Sequence, residues 1–390
     1  MKIKLMIKVT TAYRFLFLFI LTMILCGCTH DMSRREIDEI NLIRVLGIDY
    51  DGNEYTLSAL FNASGGSDPE GGAPEEEVTK GKGKTPYEAY ENLKSKATKS
   101  ISLGHTGYFL IGDGAAENGI NLCLDFLSRD ETIKMDALFF ITKDTPASDF
   151  IEQGIENKQK IHEDLEAIRQ KQEEMITRND NTLVNLTNEM KQTYSSILIP
   201  YLIPEESSFL TPGYAVFDQY KLKDYLDEDT STGINFIKNI IRNYPIYIND
   251  QVGLLISYSD TKLKTKLKDN NIEIIIQVDF ESMIKEVNTE ENIFNSEQLE
   301  LLTQEQNKYL RNILDLAISY SKATGLDVFQ IARMIEKQNI VQWQDFKSSF
   351  AESISDIKYK YVFHSKITKS FILGYDWNGN LLVKNERFVK

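Results

Sequence analysis

No stretch of this chain stays apolar for the roughly 18 or more residues that a membrane-spanning helix requires. The apolar run from Phe15 to Leu25, broken only by Thr22, amounts to about a dozen residues, which is the length of a secretory signal's core. Cysteine is nearly absent. Of three in 390 residues, Cys26 and Cys28 sit at the end of that run, leaving Cys123 alone. An exported chain with one cysteine has no internal disulfide framework. Histidine is as scarce, with four copies, and His30, His105, His162 and His364 form no HExxH and no zinc-ligand spacing with cysteines or carboxylates. No GxSxG nucleophile turn occurs. Positive charge is also short: the formal net charge is −14, which makes the chain a poor nucleic-acid binder.

The first residues hold Lys2, Lys4, Lys8 and Arg14 and no acid, so residues 1–27 read as a signal peptide. Leu25-Cys26-Gly27-Cys28 resembles the bacterial lipobox, in which the final Cys receives a diacylglyceryl thioether. By that resemblance Cys28 is the lipidation site and the mature N-terminus; an ordinary secretory signal followed by a chance Cys is the other reading. Cys26 stands where Ala, Ser or Thr is commoner. Without the leader the chain carries 40 basic against 58 acidic residues, a net −18, so an anionic membrane surface repels it and a covalent anchor becomes more useful.

Residues 41–62 read as a β-hairpin, NLIRVLGID and EYTLSALFN joined through Asp51-Gly52. ASGGSDPEGGAPEEE, 63–77, reads as a flexible surface loop. Gly83-Lys84-Thr85 looks like the end of a phosphate-binding loop, but Val78 stands where that pattern needs Gly, and Pro86 removes a backbone donor. Thr85 as N-cap, Pro86 at the first helical position and Glu88 closing a capping box fit better, with Tyr90, Leu93, Ala97 and Ile101 on one face. GYFLIG (107–112) and ALFFIT (137–142) suit buried strands, and the helix between them makes a β-α-β passage. From about Asp149 to Tyr194 the chain is polar and helical, with a thin apolar stripe that spans or connects domains. GYAVFDQYKLKDYLDED reads as strand, turn and helix. Residues from IYIND to MIKEV read as successive strands. A long amphipathic helix follows from about Ser296, stopping at Gly325, and a second begins near Asp327. KYKYVFHSKI alternates as a strand, and LGYDWNGNLLV carries an Asn-Gly hairpin signal.

The candidates for chemistry are thin. Cys123, in INLCLDFL, reads as a buried structural thiol. Ser282-x-x-Lys285 and Ser319-x-x-Lys322 lack the companion motifs of a serine–lysine enzyme. Asp49-Tyr50-Asp51-Gly52 places Gly too early for a calcium loop, and Asp227-Glu228-Asp229 reads as a solvated acidic turn. His105 reads as holding the turn between Gly104 and Gly107, a ligand or proton role being the other reading. Arg129-Asp130 reads as a helix end with a local ion pair. No catalytic, cofactor-binding or metal residues are assigned.

Several segments, in order, resemble the C subunit of the nutrient germinant receptors of spore-forming bacteria, the Ger(x)C lipoproteins. They are RREIDEINLIRVLGIDYDG, LGHTGYFLIGDGAAENGINLCLDFLSRDETIK, PGYAVFDQYKLKDYLDEDTSTGINFIKN, SYSKATGLDVFQIARMIEKQNIVQWQDFKSSF and YKYVFHSKITKSFILG. Departures are Thr29-His30 where Trp is usual, Tyr225-Leu226 for the usual "WL", and Lys134 for a frequent Arg. The resemblance implies an α/β (α+β) fold of several small domains, mixed sheets flanked by helices, three domains in series. The expected divisions are 28–195, 196–260 and 261–390. It implies a non-enzymatic, lipid-anchored protein on the outer face of the spore inner membrane that assembles with the integral-membrane A and B subunits. Nucleic acid and cofactors play no part. The alternative reading is a lipid-anchored solute-binding receptor that captures the nutrient itself in an interdomain cleft.

Overall fold

The computed structural model describes residues 40–62 and 76–368, apart from 193, 195, 206–207, 269–270, 290–292, 294 and 339. Cys26, Cys28, His30, residues 63–75 of the loop expected over 63–77, Trp377 and the Asn-Gly hairpin near the C-terminus lie outside these residues; the last two residues of that expected loop, Glu76 and Glu77, instead begin a strand that pairs with Phe61 and Asn62. The fold is mixed α+β, with several sheets flanked by helices.

The first sheet grows from the expected hairpin. β2 (Val45–Tyr50) and β3 (Tyr55–Asn62) pair antiparallel, and β3 pairs in turn with β4 (Glu76–Gly83). Asp51 closes the turn, its carboxylate accepting from the Asn53 and Glu54 N–H groups at 2.9 Å each. On the other side of β2 lie β6 (Tyr108–Gly112) and β7 (Leu138–Thr142), both parallel to it, and then β8 (Ile197–Pro204). β10 (Tyr214–Asp218) and β11 (Lys221–Tyr225) complete the sheet as an antiparallel hairpin, with β9 (Phe209–Leu210) on the end of β8. KLKDY is therefore strand rather than the expected helix: the Asp218–Lys221 turn folds it back on β10, whose backbone pairing outweighs helix propensity. A small parallel pair, β1 (Ile40–Leu42) with β5 (Ser100–Ser102), flanks this sheet.

The central strands are buried on both faces, as a sheet with helices on each side requires. Leu46, Ile48, Phe109, Ile111, Phe139 and Ile141 face one core, under α1 (Pro86–Lys96), α2 (Asp113–Asn118), α3 (Asn121–Ser128) and α6 (Leu183–Glu189). Val45, Tyr108, Leu110 and Phe140 face the other, under α4 (Ala147–Glu156) and α5 (Ile161–Met175). The helix expected between β6 and β7 is in two pieces, broken at Gly119 where φ is 125°. The polar stretch after Asp149 packs on the sheet by its apolar stripe and bonds the second half by its end. Ile161, Leu165 and Ile168 pack on the sheet, and the end of α5 is bonded to the second half of the chain: Thr177 N–H to the Ile240 carbonyl and Arg242 N–H to the Met175 carbonyl, each 2.7 Å.

The second half is built on a four-stranded sheet, β12 (Tyr244–Ile248), β13 (Val252–Lys268), β14 (Asn271–Val287) and β15 (Lys358–Thr368). Ile272, Ile274, Ile276, Val278 and Phe280 point inward from β14 at every second residue. They meet α7 (Glu228–Ile237), the 29-residue α8 (Ser296–Thr324), α9 (Ile331–Gln338), α10 (Ile340–Phe346) and α11 (Phe350–Ser353). α8 stops where expected, at Gly325 in the left-handed region (φ 70°). Leu198 of β8 and Val216 of β10 belong to this second core although their strands lie in the first sheet. The expected division at 195/196 thus falls at the edge of a strand of the first sheet, and that at 260/261 lies inside β13.

Candidate functional site

The motifs weighed in the sequence resolve into structural roles. In GKGKTP, Thr85 caps α1 through the Glu88 N–H (3.1 Å), while Glu88 reaches back to the Lys84 N–H (2.7 Å). The glycines let α1 lie on β4: a Cβ at Gly81 would come 2.2 Å from the Ala89 carbonyl oxygen. Cys123 is fully buried in α3, and burial pushes its thiol up to about 12. His105 is exposed. The turn there is held by Thr106, whose buried hydroxyl donates to the Ile43 carbonyl at 3.3 Å. Arg129 pairs with Asp125 one turn back, and Asp130 accepts from Thr132. His162 is half-buried, edge-on to Tyr108 at 5.6 Å, and burial followed by the nearby Arg44 lowers its pKa. His364 bonds Asp279 across the outer face of the second sheet at 2.7 Å. Asp227 caps α7 through the Thr230 N–H (2.8 Å). Ser282 is buried in β14, whereas Ser319 is exposed on α8. Among the described residues no group of three His, Cys, Asp or Glu side chains is placed to hold a metal.

The carboxyl ends of the parallel strands, where open α/β sheets commonly bind ligands, are closed by the chain's own side chains. Asp49 ends β2 and accepts the Ala147 and Ser148 N–H groups at the start of α4, at 2.6 and 2.8 Å. Its pKa is nonetheless raised, because burial outweighs those bonds. Asp113, directly after β6, accepts from the Asp144 N–H (2.6 Å) and from the Tyr225 hydroxyl. Lys143 lies over the rings of Tyr201 and Tyr225, 5.5 and 5.0 Å from their centroids.

Two open concavities stand out among the described residues. One, of about 910 Å³, is a groove between α1, α3 and β5. Tyr87 (61 % exposed) and Leu122 (48 %) stand on its walls, with Phe126 5.6 Å from the Tyr90 ring centroid between them. Ion pairs Lys94–Glu91 and Arg129–Asp125 rim it. Its β5 wall carries β1, with Ile40 beside Ser100 and Asn41 beside Ile101, so the chain enters the described fold at the groove's edge.

The other concavity is a cleft of about 540 Å³ between the halves, walled by α6 and β8 on one side and by α7, β13 and α9 on the other. Asp180 holds Lys238 (2.6 Å) and Arg178 (2.9 Å) there. Burial alone would raise the Asp180 pKa, but the two cations lower it. Across the cleft Glu189 faces Arg333 at 3.7 Å. Neither concavity has a motif that marks it. Their residues lie far apart in sequence, and only the meeting of α1 with α3, or of β8 with α9, brings them together.

What these features define is a two-part α+β protein whose parallel-strand ends are occupied by its own side chains and whose open surfaces are an aromatic groove and an interunit cleft. Family models for the spore germination protein N-terminal domain and for the spore germination B3/GerAC-like C-terminal domain match residues 33–204 and 212–370. The chain belongs to the Ger(x)C family, the germinant-receptor C subunits of spore germination. It is 23 % identical over 368 residues to spore germination protein KC of Bacillus subtilis (strain 168), covering 84 % of this chain and 88 % of that one. To the putative spore germination protein YfkR of the same organism it is 20 % identical over 296 residues, 71 % of this chain and 75 % of the other. In fold it resembles the crystal structure of the GerBC protein, with a TM-score of 0.54, 16 % identity, and coverage of 83 % of this chain and 96 % of that one. Among the described residues no helix is long and apolar enough to cross a membrane.

Proposed function

We propose that this chain is the non-catalytic, lipid-anchored C subunit of a nutrient-responsive germinant receptor, working by assembly with the integral-membrane A and B subunits at the outer face of the spore inner membrane. Lipid on Cys28 is the tether. Each buried methylene contributes about 0.8 kcal/mol, and two acyl chains hold where one is marginal. The observation that carries the reading is the position of β1. The chain arriving from Cys28 joins the fold beside the groove of Tyr87, Leu122 and Phe126, and the eleven residues Thr29 to Glu39 reach at most about 40 Å. That keeps an exposed aromatic surface close to the bilayer, where a membrane subunit can meet it. Tethering raises effective concentration, so a modest interface suffices.

The test is affinity purification of the tagged chain from detergent-solubilised spore membranes. Both membrane subunits are expected with the wild type, and they are lost with Cys28→Ala and with Tyr87→Ser/Leu122→Ser. Wild type that stays on the membrane yet purifies alone would sink the assembly reading. The second reading, direct capture of a solute, is supported by the interunit cleft.

A further inference from the structure

We infer that the interunit cleft binds a small organic carboxylate and holds it between the two halves of the chain. The inference deepens the solute-capture reading and is independent of docking through the groove. Size is the first support: about 540 Å³ falls within the range of small-molecule sites, roughly 300–1,000 Å³. Charge is the second. In a chain of net charge −14 the cleft is lined by four cations, Arg178, Lys238, Arg333 and Lys337, against two acids, Asp180 and Glu189.

The pairing inside the cleft shows which cations are spoken for. Asp180 takes Arg178 and the nearly buried Lys238. Glu189 meets Arg333 through one nitrogen at 3.7 Å, and Lys337 has no ion-pair partner among the described residues. Arg333 and Lys337 are four residues apart on α9, so they share one helix face. That pair is suited to a carboxylate, which a guanidinium can hold through two parallel bonds.

The backbone along the cleft adds a further support. Asn239 and Gln330, on the cleft's two second-half segments, both adopt positive φ (56° and 60°) without being glycine. Such backbone outliers concentrate at ligand sites. Asn239 is fixed in place, its side-chain oxygen accepting the Thr261 N–H at 2.8 Å. Leu186, Leu263, Phe329 and Met334 give the cleft apolar wall for the rest of the molecule.

The experiment is thermal unfolding of the full chain in detergent with rising succinate or L-glutamate, against inorganic phosphate and chloride at matched ionic strength. A ligand that binds only the folded state raises the melting temperature saturably. The expected result is a saturable rise with at least one carboxylate and a smaller one with phosphate. In Arg333→Gln/Lys337→Gln, which changes exposed side chains, half-saturation moves up about tenfold or more. Cys28→Ala keeps the response, which separates failure of the cleft from failure of the tether. No shift with either carboxylate, an equal shift with phosphate or chloride, or an unchanged response in the double variant overturns the inference.

Discussion

Among the described residues Asp327 is the most deeply placed carboxylate of the second half, and its titration should be visible in the stability of the whole chain. Its residue is 2 % exposed, and its two oxygens accept the Ile331 and Ala332 N–H groups at the start of α9, at 2.7 and 2.9 Å. Burial, opposed by those bonds and aided by the Glu189 charge, raises its pKa from 3.8 to about 6. The folded protein therefore holds this proton more tightly than the unfolded chain does. Stability from the group is gained as pH falls through about 6 and is complete below the unfolded value of 3.8. The full window is worth about 3 kcal/mol, and between about pH 7.5 and about pH 4.5 the gain is about 2 kcal/mol. Asp327→Asn removes the titration while keeping the shape. Urea unfolding of both proteins at the two pH values, read by the fluorescence of Trp343, which shares a small cavity with Asp327, isolates the term. Other carboxylates cancel in the difference. The wild type should gain about 2 kcal/mol on the variant as pH falls. A difference that stays flat, or that moves the other way, would refute the reasoning.

Three other substitutions and one labelling experiment test the remaining parts of the structure. Gly112→Ala puts a Cβ 2.2 Å from the Asp49 carboxylate and 3.2 Å from the Ala147 nitrogen, so it should cost about 2–3 kcal/mol in urea unfolding; a neutral result removes Asp49 as the anchor of α4. Thr85→Ala should cost about 1 kcal/mol by loss of the α1 cap, and no loss would return the GKGKT stretch to the list of unexplained motifs. Tyr225→Phe removes the hydroxyl that donates to Asp113 and should cost about 1.5–3 kcal/mol, with amide exchange at α2 and α3 speeding up first. The Cys123 thiol, fully buried and raised to about 12, should resist iodoacetamide in the folded chain at neutral pH and react on unfolding. Rapid labelling of the native protein would show that α3 opens.

Local signals carried well from sequence to structure. The Asp51-Gly52 turn, the Thr85-Pro86-Glu88 cap and the Gly325 stop each depend on a few adjacent residues, and the backbone adopts what those residues prefer. What failed was local reasoning about partners. KLKDY reads as helix until β10 is there to pair with it. His105 reads as the turn's clasp, but the smaller hydroxyl of Thr106 is the one that fits beneath Ile43. Asp49 reads as a defective calcium loop, and its role appears only when the start of α4, nearly a hundred residues later, arrives at its oxygens. The groove and the cleft were illegible for the same reason: each is a surface made by two elements that sequence patterns describe separately.

The two family-defined regions meet between residues 204 and 212, yet that junction lies within one sheet, between β8 and β10. β10 and β11 come from the C-terminal region and finish the N-terminal sheet, while Leu198 of the N-terminal region enters the second core. The carbonyl of Tyr220, in the β10–β11 turn, accepts the Ile120 N–H at the break between α2 and α3, and Tyr225 of β11 bonds Asp113. The C-terminal region therefore reaches α2 and the start of α3 through backbone and side chain together. Hinge motion at the junction would have to tear the main-chain bonds between β8 and β10, whereas the cleft side is joined by side-chain pairs such as Arg333–Glu189 and Asp180–Lys238 and by bonds at the end of α5. The halves are thus joined along the sheet by main-chain bonds and across the cleft by ion pairs, Asp180–Lys238 among them, with Leu198 and Val216 buried in the second core.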